Sequence, residues 1–186
     1  MRQIFRTRDS HLTLWTGGLV LALALAPLGC NREPATVKVA PESEAPVLAS
    51  VVKASAVSQE AQLLNGFYPI EANAWRWTAK QFSVLLRTPK GAAESGAMLS
   101  VKSTIPQVAI DHSHSLTLTA SVEGTPLKPG TYSKADQYEY REDVPAAVLA
   151  KDAVRIQFAL DKAIPPTGGE KRELGIIVSS VGLQTK

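Results

Sequence analysis

The sequence has few of the residues that build sites for covalent or redox chemistry. It contains one cysteine, Cys30, and three histidines among 186 residues. A single cysteine excludes an intramolecular disulfide, and its position near the N-terminus leaves the rest of the chain without a thiol nucleophile. The chain also has no Gly-x-Ser-x-Gly segment and no glycine-rich phosphate loop. We therefore expect a protein that is not an enzyme and that holds no cofactor.

A large excess of charge of one sign is also missing. The chain has 20 basic and 17 acidic residues, and three of the arginines and one aspartate precede Cys30, which leaves 17 basic and 16 acidic residues in the remainder. A nearly neutral body without a stripe of Lys and Arg lacks the positive surface that binding to a phosphate backbone requires. We expect no nucleic-acid partner.

An apolar run at the N-terminus extends from Leu12 to Leu28 and follows three arginines. Arginines, then an apolar run, then a small residue are typical of a secretory signal peptide. The alternative is a retained transmembrane helix, but such a helix needs about 17 to 25 apolar residues, and Gly17-Gly18 and Pro27 interrupt this run. We predict that residues 1–29 are a cleaved signal peptide.

The end of this segment, Leu28-Gly29-Cys30, resembles the end of a bacterial lipobox, with Pro27 departing from the usual branched apolar residue. The resemblance implies that Cys30 is lipidated, becomes the new N-terminus and anchors the protein stably in a membrane. An aspartate directly after the lipidated cysteine is associated with retention in the inner membrane. The chain has Asn31 at this position, so the resemblance implies that the protein is sorted to the outer membrane of the cell envelope. The alternative is a chance cysteine at a secretory boundary.

The next segment, residues 30–62, has no aromatic residue and contains Pro34, Pro41 and Pro46. Such a segment buries too little apolar surface to offset the loss of chain entropy on folding, so we predict a flexible tether. Within it, Val47 to Val57 is apolar enough to form an added edge strand or a short helix, and the sequence does not separate these alternatives.

From residue 63 onwards, short runs of alternating apolar residues are broken by Gly, Pro, Asn and Asp, as in antiparallel strands. The clearest run is Ser115 to Glu123, and similar runs cover residues 81–87, 98–104, 153–161 and 174–183. Val144 to Lys151 is typical of a helical turn. Residues 63–186 are therefore predicted to form an antiparallel two-sheet β-sandwich of about eight strands with one short helical turn. The predicted core comprises Leu64, Trp75 or Trp77, Phe82, Leu118, Val122, Ile156, Phe158 and Ile176.

The segment from Gly66 to Thr78 contains four of the eleven aromatic residues of the chain. On a strand, Trp75 and Trp77 face the same way and Arg76 faces the other. An exposed indole pair suits the apolar face of a sugar ring, whose hydroxyl groups need polar partners. The candidate ligand-binding residues are Tyr68, Glu71, Asn73, Trp75 and Trp77. The alternative interpretation is that at least one indole is a pillar of the core.

Arg76 needs an acidic partner if its side of the strand is covered. Glu71 and Glu173 are the candidates. We predict a structural ion pair between Arg76 and Glu173, which ties the early hairpin to the last strand.

Histidines occur together only in Asp111-His112-Ser113-His114. Two histidines and an aspartate at this spacing can bind a transition metal, as a metal-assisted enzyme would require, but no third distant ligand accompanies them. We interpret the segment as a polar loop and predict no metal site.

Three short motifs resemble those of a small bacterial β-sandwich module found in envelope lipoproteins and beside glycosyltransferases of surface-polysaccharide systems. They are Gly66 to Pro69, Trp75 to Thr78 and Arg172 to Gly175, and the resemblance covers Leu64 to Leu183. Lys171 departs from it, where an acidic residue is expected. The resemblance implies a glycan-related or accessory context, and no activity can be transferred from it.

Together these observations predict a lipid-anchored, non-catalytic envelope lipoprotein. Its expected partners are a membrane, through the N-terminal lipid, and a glycan or an envelope protein. The first hypothesis is that it binds glycan or assists a surface-polysaccharide system through the Tyr68 to Trp77 face. The alternative is a structural or protein-interaction module without a small ligand, in which an exposed sheet edge recruits a partner.

Overall fold

The computed structural model describes residues 47–186. The predicted signal peptide, Cys30 and the first part of the predicted tether lie outside the described residues. Among residues 47–186, no helix has both the length and the apolar character needed to cross a membrane.

The described chain is dominated by antiparallel strands, as predicted. Period-two alternation is the cause, since burial changes with every residue in the strands Leu116–Val122 and Ala153–Leu160. The ten strands are β1 (Val51–Lys53), β2 (Leu63–Phe67), β3 (Arg76–Arg87), β4 (Ala97–Ile105), β5 (Leu116–Val122), β6 (Thr125–Pro126), β7 (Gly130–Tyr132), β8 (Asp136–Val144), β9 (Ala153–Leu160) and β10 (Ile177–Thr185).

The strands form two antiparallel sheets. Sheet A contains β8, β4, β10 and β1 in that order. Sheet B contains β2, β3, β9 and β5, and β5 also pairs with the short β6 and β7. Strand β3 belongs to both sheets, because Arg76 and Trp77 pair with β10 whereas residues 81–87 pair with β9. The fold is the predicted two-sheet β-sandwich, with two more strands than the eight expected.

The core lies between the sheets. The rings of Phe82 and Phe158, on neighbouring strands of sheet B, stack with centroids 4.8 Å apart, and the Phe67 ring meets Phe82 edge-on at 5.4 Å. Six predicted core residues are buried: Phe82, Leu118, Val122, Ile156, Phe158 and Ile176. The prediction is wrong for Leu64, which is 39% exposed, because register shifts in the pairing of β2 with β3 interrupt the alternation there.

Four short helical segments connect the strands. They are α1 (Ala92–Ser95), α2 (Gln107–Ser113) and 3₁₀ helices at Val57–Gln62 and Ala146–Val148. The helical turn predicted in residues 144–151 is the second of these 3₁₀ helices. The prediction of a loop for residues 111–114 is wrong, because Pro106 precedes a helix that continues to Ser113 and ends at His114, which has a φ of 62°.

The prediction of a tether up to residue 62 is wrong for its last part. Strand β1 adds to the edge of sheet A, where Val52 lies opposite Val181 and is 1% exposed. The amide of buried Gln62 donates to the carbonyl groups of Leu85 at 2.7 Å and Ala49 at 2.9 Å. Of the two alternatives for residues 47–57, the edge strand is therefore observed, and the folded domain begins before residue 63.

Candidate ligand-binding site

A tight hairpin precedes β3 and positions Trp75. The backbone nitrogen of Glu71 donates to the carbonyl of Trp75 at 2.9 Å, and Ala72 and Asn73 at the tip have φ values of 50° and 51°. Two successive residues with positive φ are the requirement of a type I′ turn. Asn adopts this conformation readily, whereas Ala does so at a cost. The turn returns the chain to the edge of sheet A one residue before β3 begins.

Arg76 and the two tryptophans face opposite ways, as the alternation predicts. Arg76 is 5% exposed and points inward, whereas Trp75 and Trp77 are partly exposed and neither belongs to the buried core. Their rings meet edge-to-face, with centroids 6.5 Å apart and an interplanar angle of 79°. The indoles therefore do not form a single flat platform, and only one can offer its face to a ring.

The predicted ion pair between Arg76 and Glu173 is wrong. The Nη2 atom of Arg76 lies 3.0 Å from Oε1 of Glu60, and its Nε and Nη1 atoms donate to the carbonyls of Ala54 and Tyr68 at 2.8 and 3.2 Å. Glu173 instead accepts a hydrogen bond from the backbone nitrogen of Lys80 at 3.1 Å. The partner of Arg76 thus comes from the segment that the composition assigns to the tether.

Tyr68 and Glu71 are held by the loop between β9 and β10. The guanidinium of Arg172 donates to Glu71 at 2.9 Å and to Glu170 at 2.8 Å, and it lies 5.1 Å from the centroid of the Tyr68 ring. The Tyr68 hydroxyl donates to the carbonyl of Glu173 at 2.8 Å. The hydrogen bonds from Arg172 lower the pKa of the Glu170 carboxyl to about 2. These contacts fix the hairpin and occupy two of the predicted ligand-binding side chains.

A shallow depression of about 460 Å³ crosses the outer face of sheet A, and we call it the Trp75 trough. It extends from the segment before β3, across β10 and β4, to β8. Its lining residues are Ala74, Trp75, Lys102, Ser103, Thr104, Gln137, Tyr138, Glu139, Ile177 and Ser179.

The strand register explains which side chains reach this surface. Thr104 lies opposite both Ile177 and Gln137, and Lys102 lies opposite Glu139. Residues directly opposite each other on antiparallel strands project to the same face. The neighbours of Lys102 along β4, Val101 and Ser103, are buried, so Lys102 and Thr104 point outward.

The polar groups of the trough are largely available to a ligand. Among residues 47–186, no side chain forms a hydrogen bond or ion pair with the side chains of Lys102, Thr104 or Gln137, and Glu139 is 3.6 Å from Arg141. The trough therefore combines a partly exposed indole with an ammonium, a hydroxyl, an amide and a carboxylate. Such a surface can pack on the apolar face of a polar ring and bind groups at its edge.

Only one of the five predicted ligand-binding residues, Trp75, lines the trough. The Trp77 ring contacts the Trp75 ring edge-to-face, and Asn73 is exposed at the hairpin tip. Lys102, Gln137 and Glu139 line the trough and were not among the predicted ligand-binding residues. No local pattern identifies the last two, because the inward residues of β8 are hidden among charged ones.

The histidine segment lies elsewhere. His112 and His114 border a depression with Lys80, Lys162 and Asp161. Within residues 47–186, no group of three or more His, Cys, Asp and Glu side chains is arranged to hold a metal ion.

No protein-family model and no curated protein sequence matches the chain. Among solved structures, it is similar to a carbohydrate-binding module of family 27 described for specific mannan recognition, at 13% identity and a TM-score of 0.45, over 75% of this chain and 98% of that one. A family 36 module in complex with calcium and xylotriose has 9% identity and a TM-score of 0.40, over 72% and 98% of the two chains. A family 36 domain of a xylanase from the hindgut metagenome of Trinervitermes trinervoides has 10% identity and a TM-score of 0.38, over 71% and 94%. These values are too low to assign a ligand to the chain.

Proposed function

We propose that the domain binds a glycan in the Trp75 trough. The observation that carries the proposal is the position of a partly exposed indole at the margin of an open trough, beside the side chains of Lys102, Thr104 and Gln137, which have no side-chain partner among residues 47–186. A sugar ring has an apolar C–H face and a polar edge. The indole of Trp75 provides a surface for the first, and Thr104, Gln137 and Glu139 provide partners for the second.

The location of Trp75 favours ligand binding over a purely structural role. A tryptophan that only stabilises a sandwich is highly buried against the opposite sheet. Trp75 lies outside the sandwich, on the outer face of sheet A, and the hairpin that presents it has a backbone conformation that is costly for Ala72. Such local strain is typical of segments that position a functional side chain.

Calorimetric titration of the full chain with a panel of oligosaccharides tests this proposal. We expect Trp75→Ala to weaken binding by about tenfold or more, because the substitution removes the surface on which the sugar ring packs. Gln137→Ala should weaken it by about threefold to tenfold, since one hydrogen bond is lost. Gln157→Ala is the matched control, because Gln157 is an exposed glutamine that lies outside the trough, on sheet B.

Two results would overturn the proposal. One is an absence of heat with every oligosaccharide of a broad panel. The other is binding that survives Trp75→Ala unchanged. Loss of binding in the Gln157→Ala control would point to a site on sheet B instead.

The same proposal includes a lipid anchor at Cys30 and a place in the bacterial outer membrane. Its support is the order of three arginines, an apolar run, Gly29 and Cys30 in the sequence. In this arrangement, residues 31–46 connect the lipid to a domain that meets surface polysaccharide. Acyl chains give a stable anchor because each buried methylene contributes about 0.8 kcal/mol.

Cell fractionation tests the anchor. We expect Cys30→Ala to move the protein from the membrane to the soluble fraction of the envelope. Asn31→Asp is the matched variant, which keeps the lipid and is expected to shift the protein to the inner membrane of an enteric host. Membrane association of Cys30→Ala equal to that of the wild type would show the anchor to be absent.

A further inference from the structure

One of the two charged residues of the Trp75 trough has an ion-pair partner among residues 47–186 and the other has none. Of the described residues that line the trough, only Lys102 and Glu139 are charged. They lie directly opposite each other on β4 and β8, which is the position in which opposite charges attract across strands. No ion pair forms between them, and the Glu139 carboxylate is instead 3.6 Å from Nη1 of Arg141 on its own strand.

A second lysine stands in the same row of the sheet. Ser180 on β10 lies opposite both Lys102 on β4 and Lys53 on β1. Because the row spans two strand spacings, the two lysine Cα atoms are about 10 Å apart. Lys53 is exposed, as Lys102 is, and no acidic side chain of residues 47–186 forms an ion pair with either.

The local net charge is therefore positive where the trough meets the row of Lys53, Ser180 and Lys102. Lys53, Lys102 and Arg141 are cations of this surface and Glu139 is an anion beside them, while Asp143, further along β8, pairs with Lys186 at 3.1 Å. An ammonium group that lines a binding surface without an acidic partner is suited to a monovalent anion on the ligand. A neutral sugar would leave that ammonium without a charged partner.

We propose that the glycan carries carboxylates, as chains of uronic acid do, and that Lys102 binds one of them while the sugar ring packs on Trp75. This inference rests on the proposed function and names the ligand class of the same site. Lys53 contributes to the attraction from the end of the row. Glu139, held towards Arg141, accepts hydrogen bonds from hydroxyl groups.

Paired titrations of the full chain test this inference. The probes are oligogalacturonates and the same oligosaccharides after reduction of their carboxylates to alcohols, which keeps the ring and the linkage. We expect the acidic form to bind about threefold to fivefold more tightly at low salt, the range for an exposed ion pair. The preference should decline as salt is added, because exposed charges are screened.

Three lysine variants locate the effect. Lys102→Met removes the charge and keeps the length of the side chain, and we expect it to remove most of the preference for the acidic form. Lys53→Met should reduce the preference in part. Lys90→Met is the matched control, since Lys90 is exposed and lies outside the trough, and it should leave the preference unchanged.

The outcomes separate this inference from the proposed function. Equal affinity for the acidic and reduced forms, or an unchanged preference in Lys102→Met, overturns the inference alone. If neither form binds and the neutral panel also gives no heat, the proposed function and the inference both fail.

Discussion

The guanidinium of Arg76 lies 3.0 Å from the carboxylate of Glu60, and this contact joins the 3₁₀ helix after β1 to the start of β3. Arg76 is almost wholly buried, whereas the Glu60 side chain is 57% exposed. Removal of a charge partner from a buried guanidinium is costly because the remaining charge stays desolvated. The segment before residue 63 therefore supports the hairpin from which Trp75 projects.

A double-mutant cycle measures this relationship. We expect Arg76 and Glu60 to show a coupling free energy of about 1 kcal/mol in chemical denaturation, since one partner is exposed to solvent. The matched cycle of Arg76 with Glu173 should show no coupling, because Glu173 bonds to Lys80 instead. Coupling to Glu173 that equals the coupling to Glu60 would contradict the observed pairing.

The Glu170 carboxylate predicts a pH dependence of stability. Its pKa is lowered from 4.5 to about 2 by hydrogen bonds from Arg172. A lowered pKa in the folded state gives stability that is fully present above the unfolded value and lost as pH falls. Wild type should be more stable than Glu170→Gln at neutral pH, and the difference should shrink as pH falls from about 4.5 to about 2.

Urea denaturation at a series of pH values follows this difference. Glu94→Gln is the matched control, because Glu94 is exposed on α1 and forms no ion pair within residues 47–186. A difference between wild type and Glu170→Gln that is independent of pH would show that Arg172 does not stabilise the charged form of Glu170.

Gly66 permits the close approach of β2 to β3. It has a φ of +71°, and a Cβ atom at this position would overlap the carbonyl oxygen of Gln81 and lie 2.7 Å from the Cα of Phe82. We expect Gly66→Ala to lower the free energy of unfolding by at least about 3 kcal/mol, because both the backbone conformation and the packing are violated.

Gly168 separates these two causes. Its φ is +58°, and a Cβ atom at this position would have no other atom within 4 Å, so Gly168→Ala should cost only the conformational term of about 1 to 2 kcal/mol. Thermal or chemical denaturation compares the two variants. Equal destabilisation would mean that the contact with Gln81 has no energetic consequence.

The hairpin tip offers a stabilising substitution. Ala72 has a φ of 50°, which glycine adopts without the steric cost that alanine incurs. Ala72→Gly is expected to raise the free energy of unfolding by up to about 1 kcal/mol. Ala74→Gly is the control, since Ala74 is not among the residues with positive φ and the substitution should destabilise. A loss of stability in Ala72→Gly would exclude strain at this position.

The sandwich was predictable because its central strands alternate apolar and polar residues without interruption. In β5 and β9, each inward residue is apolar, so a period of two defines both the strand and its buried face. The same alternation indicated that Arg76 and the tryptophans face opposite ways. The local pattern was sufficient to predict a strand and its buried face wherever the neighbouring strand added only apolar contacts.

Strand β8 and the trough that it borders could not be identified in this way. Its sequence, Asp-Gln-Tyr-Glu-Tyr-Arg-Glu-Asp-Val, is mostly polar because β8 is at the edge of sheet A, where no strand of residues 47–186 pairs with its outer side. The inward residues Tyr140 and Val144 are therefore hidden among charges. Gln137 and Glu139 line the same trough as Trp75 only because of the strand order, which no local pattern encodes.

The partner of Arg76 escaped prediction for a related reason. The composition of residues 47–62 indicates a segment that cannot form a hydrophobic core by itself. The segment is nevertheless ordered, because β1 pairs with the edge of sheet A along β10. Val52 is buried because it pairs with β10, and Gln62 is buried because it bonds to β3.

The indole Nε1–H resonance of Trp75 in a two-dimensional NMR titration tests the central claim most directly. On addition of oligogalacturonate, we expect saturable shifts of this resonance, of the side-chain amide of Gln137 and of the backbone amides of residues 102–104. The side-chain amide of Gln157, on the outer face of sheet B, should not move. Shifts confined to sheet B, or no shift of the Trp75 resonance at saturating ligand, would contradict the account.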